Sequence, residues 1–306
     1  MMWKWRHKQR VTALSTATPK LGRIGIWSME LRFGDPEEEA EAAAELDELG
    51  YGTLWVPGAM GGELLTDLSR LLAATKTATI ASGILNIWKH DAQDVAHWWH
   101  GLPADHQSRF LLGLGVSHGA TVGAAYAKPL TAMKAYLAQL ADAGVPSSVI
   151  CLAALGPKML ELARDQTAGA HPYLITPEHT AIARAAMGDG PLLAPEQGVV
   201  FDPDPVRARD LARPYVKGYG QLENYANSWR RLGFSEDDIA TTSDWLVDAV
   251  FACGDAEVIA ARIDAHIAAG ADHVCLQVVG TAAPGVNDVG ALRPVWRALA
   301  GALGRS

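Results

Sequence analysis

The stretch DPEEEAEAAAELDELGYGTLWV, residues 35–56, carries one complete architectural phrase. Asp35 stands where an N-cap belongs, Pro36 at the first helical position and Glu38 where a capping box needs its acid. The helix they open runs to Leu49 and stops at Gly50, and Thr53–Val56 is the next strand. The phrase recurs. Leu130, Met133, Leu137 and Leu140 form an apolar stripe ending at Gly144, ahead of a strand over Val149–Leu152. Ile259, Ile263 and Ile267 form another, ending at Gly270, ahead of Val274–Val279. Arg23–Trp27, Ala78–Leu85, Arg109–Leu114, Ala170–Ile175 and Leu192–Phe201 complete the strand set. Strands separated by helices pair in parallel. A doubly wound sheet and a barrel both fit that alternation. About eight units without a Gly/Ser/Pro-rich linker favour the barrel. The pattern predicts an α/β fold: a single (β/α)8 TIM barrel over 21–306, with a helical insertion from Pro214 to Trp245.

Composition narrows the class. Of 306 residues, 49% are hydrophobic, enough for a large core and against disorder. The net charge of −8 is the wrong sign for gripping a phosphate backbone, so no nucleic-acid partner is expected. No apolar run approaches the ~18 residues of a membrane span. Cys151, Cys253 and Cys275 lack metal-like spacing and read as buried thiols of a reducing, cytoplasmic compartment. Residues 1–20 differ from the rest: basic and Trp-rich, then Ser/Thr-rich, without the apolar core of a signal peptide. They predict a flexible N-terminal arm.

A barrel carries its chemistry at the C-terminal ends of its strands. That rule points to Trp27-Ser28, Trp55 to Gly58, Ser82 to Ile84, Gly113 to His118 and Ala153 to Pro157. Gly113 and Gly115 begin a dinucleotide fingerprint, but the third glycine arrives late, at Gly119, and no acidic ribose partner comes after it. A nicotinamide site is not expected. Leu155-Gly156-Pro157-Lys158 is either an anion site at a helix N-terminus or an ordinary strand-to-helix turn. His97 and His100 lie three apart near His90, Asp91, Asp94 and His106. Trp98-Trp99 mark that segment as a packed outer helix, and no metal is predicted. His118 stands just past a strand end, where a group titrating near ~6.5 suits proton transfer. The bland alternative for it is a satisfied structural histidine. The acidic runs Glu37–Glu39 and Glu236–Asp238 read as solvated helix starts. No nucleophile elbow and no phosphate-binding Gly-Lys-Ser/Thr loop is present.

Five strings, in order, resemble the luciferase-like flavin and deazaflavin oxidoreductases. They are Gly50 to Pro57, Ala81 to Ile84, Arg109 to His118, Ala153 to Ala163 and Gly169 to His179. The last two are most similar to the actinobacterial branch that uses coenzyme F420, a deazaflavin. The resemblance implies a ring held at the strand ends by Val56, Pro57 and Gly58, by Ser82, Gly83 and Ile84, and by Gly115, Val116 and Ser117. The turn Ala153, Ala154, Leu155, Gly156, Pro157 and Lys158 would complete the ring and phosphate site. It also implies a non-proline cis peptide at Ser82–Gly83 or Gly83–Ile84. His118 would be the catalytic residue facing the substrate, with His171, Tyr173 and Trp27 as further substrate contacts. Sugar-phosphate and alcohol dehydrogenases of the family carry a histidine after the second strand, where this chain reads Gly58 to Gly62. They also carry a glutamate at the position of His118. The activity implied is hydride transfer between C5 of F420 and a small organic substrate, by a homodimer. Two alternatives stand beside it: a two-component monooxygenase using reduced FMN from a separate flavin reductase, and a barrel that binds a flavin or deazaflavin without catalysis.

Overall fold

Asp35 accepts the backbone N–H groups of Glu37 and Glu38 at 2.9 and 3.2 Å, capping helix Pro36–Glu48. The acid that reaches back is Glu39 rather than Glu38: its Oε1 accepts from Gly34 N–H at 2.7 Å. Glu39 is fully buried and paired with Arg70, so the acidic run is only partly a solvated helix start. This architecture is that of a computed structural model, which describes residues 17–58, 61–123, 126, 128–281 and 287–304. Residues 1–16 of the expected arm, and Ala59 and Met60 of the loop after the second strand, lie outside the described residues.

Among the described residues, eleven strands join in one sheet, and every pairing is parallel. They are β1 (Ile24–Trp27), β2 (Thr53–Val56), β3 (Thr79–Ser82), β4 (Leu85–Asn86), β5 (Phe110–Gly115) and β6 (Ile150–Leu152). Then come β7 (Gly169–Ala170), β8 (Leu192–Leu193), β9 (Glu196–Phe201), β10 (Phe251–Gly254) and β11 (Val274–Val278). The order is β10-β9-β11-β1-β2-β3-β5-β6-β7-β8, with β4 on β5.

β8 and β9 are two halves of one extended run joined by Ala194-Pro195. Ala194 N–H donates to Ala170 O and Glu196 N–H to Pro172 O, both at 2.9 Å, while Cys275 N–H donates to Pro195 O at 3.0 Å. One edge of the run therefore bonds the β7 segment and the other bonds β11. The ring closes through eight positions: β1, β2, β3 with β4, β5, β6, β7, β8 with β9, and β11. It is the predicted TIM barrel. β10, absent from the sequence-based strand set, adds to β9 along Gly198–Phe201.

Three details differ from the sequence reading. The strand expected over Ala78–Leu85 breaks after Ser82 into β3, which pairs β2, and β4, which pairs β5. The strand expected over Ala170–Ile175 keeps only Gly169–Ala170, and Leu174 turns the chain with φ 54°. The insertion starts earlier than Pro214, which lies inside its first helix, Pro205–Gly220. Helices Glu223–Arg231, Glu236–Thr241 and Asp244–Val250 complete it.

Alternation divides each strand between two cores. Ile26, Leu54, Ile80, Leu112 and Leu152 face the surrounding helices in the main core. Trp27, Trp55, Ala81, Leu111, Cys151, Ala194 and Cys275 pack together in a separate cluster that fills the barrel. The insertion has its own core around Trp229, Tyr225, Leu246 and Phe251. Cys253 is only half-buried, unlike Cys151 and Cys275. No helix among the described residues is long and apolar enough to cross a membrane.

β5 passes β3 closely at Gly113, where an added Cβ would lie 1.9 Å from Ser82 O. Gly113→Ala must push the two strands apart, and we expect a loss of about 3 kcal/mol. Urea unfolding checks this: an unchanged midpoint would refute the tight approach.

Candidate functional site

At the C-terminal ends of the strands the barrel opens into a cavity of about 660 Å³. Its floor is formed just past the end of β3 by Gly83 and Ile84, which are joined by a cis peptide bond. Trp27 at the end of β1 lies over this floor, its Nε1–H donating to Gly83 O at 2.9 Å. Glycine at 83 is required, because a Cβ there would lie 2.5 Å from that indole nitrogen. Glycine at 115 has a similar cause: a Cβ would meet Ile84 Cδ1 at 2.4 Å.

One wall is built from strand ends. Gly115, Val116, Ser117 and His118 lie at and beyond the end of β5, with Ser117 in the left-handed region at φ 55°. Ala153, Ala154, Leu155 and Gly156 come after β6 and lead into helix Pro157–Gln166. A Cβ on Gly156 would meet nothing within 4 Å, so the backbone itself faces open space there. Arg231 Nη2 donates to Leu155 O at 3.3 Å, bringing a cation to the same turn. The opposite wall comes from the insertion: Tyr215, Gly218, Tyr219, Leu222, Asn224 and Tyr225.

A few polar groups are set into the apolar filling of the barrel below the cavity. His273 Nδ1 donates to Gly22 O at 2.9 Å, which leaves Nε2 to accept from Trp55 Nε1–H at 3.2 Å. His171 stacks on Trp55 with ring centroids 4.1 Å apart and planes 10° apart. Its Nδ1 faces Ala194 O at 2.7 Å, and since a carbonyl only accepts, that nitrogen carries the hydrogen. Burial pushes both histidines down to about 4, so both are neutral near pH 7. Glu196 is fully buried; one oxygen accepts from Leu174 N–H at 2.9 Å, fixing the left-handed turn there. Burial raises its carboxyl to about 8, against that single hydrogen bond.

Tyr173 Oη–H donates to Gln277 Oε1 at 2.5 Å. Its ring meets Tyr219 at 5.2 Å and Trp27 at 5.7 Å, joining the barrel to the insertion. Burial raises the phenols of Tyr173, Tyr219 and Tyr225 above their ordinary value. His118 is half-buried beside Tyr225, 5.7 Å between ring centroids. Burial lowers its pKa, against a hydrogen bond with Asn224 that raises it.

Most residues named from the sequence thus border one cavity: Trp27, Pro57, Gly83, Ile84, Gly115 to His118, Ala153 to Gly156, His171 and Tyr173. Val56 and Ser82 are fully buried behind it, and Ser82 Oγ donates to Gly113 O at 2.9 Å. Gly58 is also behind it, its N–H on Ile84 O at 3.1 Å. Pro157 and Lys158 are exposed on the first helical turn and are not part of the lining. Among the described residues no group of three or more His, Cys, Asp or Glu is placed to hold a metal ion.

Sequence reasoning missed the insertion wall, Gln277 and Glu196. Tyr215, Gly218, Tyr219 and Leu222 repeat at helical spacing, a stripe that could have identified the wall. Glu196 could have been noticed as the lone acid within the apolar string Leu192–Phe201.

The sequence matches no protein-family model and no curated protein. Solved structures do match. An F420-dependent secondary alcohol dehydrogenase, solved with an F420–acetone adduct, aligns with TM-score 0.69 at 16% identity, over 92% of this chain and 98% of that one. The coenzyme F420-dependent tetrahydromethanopterin reductase of Methanopyrus kandleri aligns at 0.67 and 15%, over 90% and 98%. This chain shares their α/β barrel fold. The same fold is that of the oxygenating constituent of 3,6-diketocamphane monooxygenase from Pseudomonas putida, solved with FMN (0.63, 13% identity, 91% and 96% covered). The aligned proteins are a dehydrogenase, a reductase and a monooxygenase, all on this one barrel fold.

Glu196 supplies a test of the barrel's interior. Its folded pKa of about 8 lies above the ordinary 4.5. The folded chain therefore keeps a proton that the unfolded chain gives up, and stability present below pH 4.5 is lost as pH rises toward 8. Glu196→Gln keeps an acceptor for Leu174 N–H and removes the titration. Melting curves should show a gain in Tm larger at about pH 8 than at about pH 5; equal gains would mean the carboxyl is not buried as a neutral acid.

Proposed function

We propose that this chain is an oxidoreductase that moves a hydride between C5 of coenzyme F420 and a small organic substrate. The observation that carries the reading is the cavity, with a backbone floor at Gly83–Ile84, backbone walls at Val116–Ser117 and Ala153–Gly156, and an aromatic far side. A flat tricyclic ring needs such a slot, and the open space at Gly156 leaves room for one edge of it. When bound, the deazaflavin supplies the hydride chemistry, and the protein supplies orientation and electrostatics.

The chain's own residues divide the work. Gly83, Ile84 and Trp27 would support one face of the ring. Val116, Ser117 and the Ala153–Gly156 turn would hold its rim. The first turn of helix Pro157–Gln166, with Lys158 and Arg231 nearby, suits the negatively charged tail. Tyr173, Tyr215, Tyr219 and Tyr225 would exclude water and favour an uncharged, largely apolar substrate. His118 is the group that can exchange a proton with the substrate as hydride moves, because burial keeps it neutral and Asn224 orients it. The single domain over 21–306, the N-terminal arm and a homodimer belong to the same proposal.

A titration followed by tryptophan fluorescence tests the cofactor, since Trp27 borders the cavity. F420 should quench at lower concentration than FMN. The reverse preference, with oxygen consumed during turnover, would replace this reading with the FMN monooxygenase and its reductase. Failure of both to bind would end it. For His118→Ala we expect a turnover loss of roughly a hundredfold or more, with F420 affinity unchanged within about threefold. Full activity in that variant would remove His118 from the mechanism.

A further inference from the structure

Buried polar side-chain atoms are nearly always paired, because leaving one bare in a low-dielectric interior is costly. Among the described residues, ten such atoms have no protein partner. Only one of them, His171 Nε2, belongs to a residue that also borders the cavity. His171 is 1% exposed. Its ring has little freedom, stacked on Trp55 and held by the Nδ1–H bond to Ala194 O. That bond fixes the tautomer, so Nε2 presents a bare lone pair. The lone pair lies beside the floor, 3.5 Å from where a Cβ on Gly83 would stand.

We propose that His171 Nε2 is a preorganised acceptor for the imide N–H of the bound ring's pyrimidinedione end. The assignment rests on the cofactor reading above and deepens it. A flavin or deazaflavin ring carries this N–H between two carbonyls in both of its redox states. The carbonyls can be met by backbone N–H groups, but the imide hydrogen needs an acceptor. Trp27 Nε1–H is already committed to Gly83 O, and as a donor it could not serve. A neutral imidazole answers the need without bringing a charge into the barrel. The acceptor is the same for F420 and FMN, so it positions the ring and leaves the choice between them to other contacts.

The test uses the whole protein labelled with 15N-histidine and titrated with F420. The unprotonated Nε2 resonance of His171 should move upfield as the ring binds, as a bare imidazole nitrogen does on accepting a hydrogen bond. Its assignment comes from its loss in His171→Phe or, should that variant unfold, from through-bond correlation. In folded His171→Phe, which keeps a flat ring on Trp55 but has no acceptor, F420 affinity should fall roughly tenfold. F420 bound to wild type with the resonance unmoved, or bound equally well by His171→Phe, overturns the acceptor role and leaves the cofactor reading standing. F420 that does not bind wild type at all removes both.

Discussion

The barrel depends on a two-residue corner. At Ala194-Pro195 one strand finishes pairing with the β7 segment and begins pairing with β11, so backbone groups on both its edges are used within a few residues. Proline suits this corner because it has no N–H to satisfy, while its carbonyl accepts from Cys275 N–H. Closure at this point aligns the strand ends. It also sets Ala194 O where His171 can donate to it and places Glu196 under the Leu174 turn. The polarity beneath the cavity therefore arises from the same strand crossing that finishes the fold.

Electrostatically the site is built on neutrality. His171 and His273 are held uncharged by burial, Glu196 keeps its proton into the neutral range, and the tyrosines are held as phenols. Among the described lining residues none is Asp, Glu, Lys or Arg; charge lies at the margin, on Lys158 and Arg231 near the Ala153–Gly156 turn and on Glu30 toward Tyr215. A low-dielectric interior strengthens every hydrogen bond that is made there and penalises every one that is missing. That favours a ligand with a few fixed polar groups on an otherwise apolar body.

Much of this was legible in the sequence, for identifiable reasons. Thr53–Val56 could be placed because a capped helix and Gly50 precede it. Gly83, Gly115 and Ala153–Gly156 could be found because barrel chemistry collects at strand ends. The strand Phe251–Gly254 was not legible: it is short, comes directly after helix Asp244–Val250, and exists only because β9 offers it an edge. The shortening of β7 was hidden for a related reason. Ala170–Ile175 has strand-like composition, but Glu196, distant in sequence, captures Leu174 N–H and turns the chain. The insertion wall was missed because periodicity says a helix has a face without saying what that face meets. His171 was singled out in the sequence as a substrate contact, but its bare nitrogen belongs to no motif; it is set by the bond to Ala194 O.

The cavity's two sides rest on different cores. The strand-end side stands on the barrel interior, around Trp55, Cys151 and Cys275, whereas the tyrosine side stands on the separate cluster around Trp229 and Leu246. Mutations that repack the second cluster can reshape what the cavity admits while leaving the floor at Gly83–Ile84 in place. On the proposed function, selection can therefore act on substrate choice and on ring binding as two nearly independent traits, a division of labour through which one scaffold can diversify without losing its chemistry.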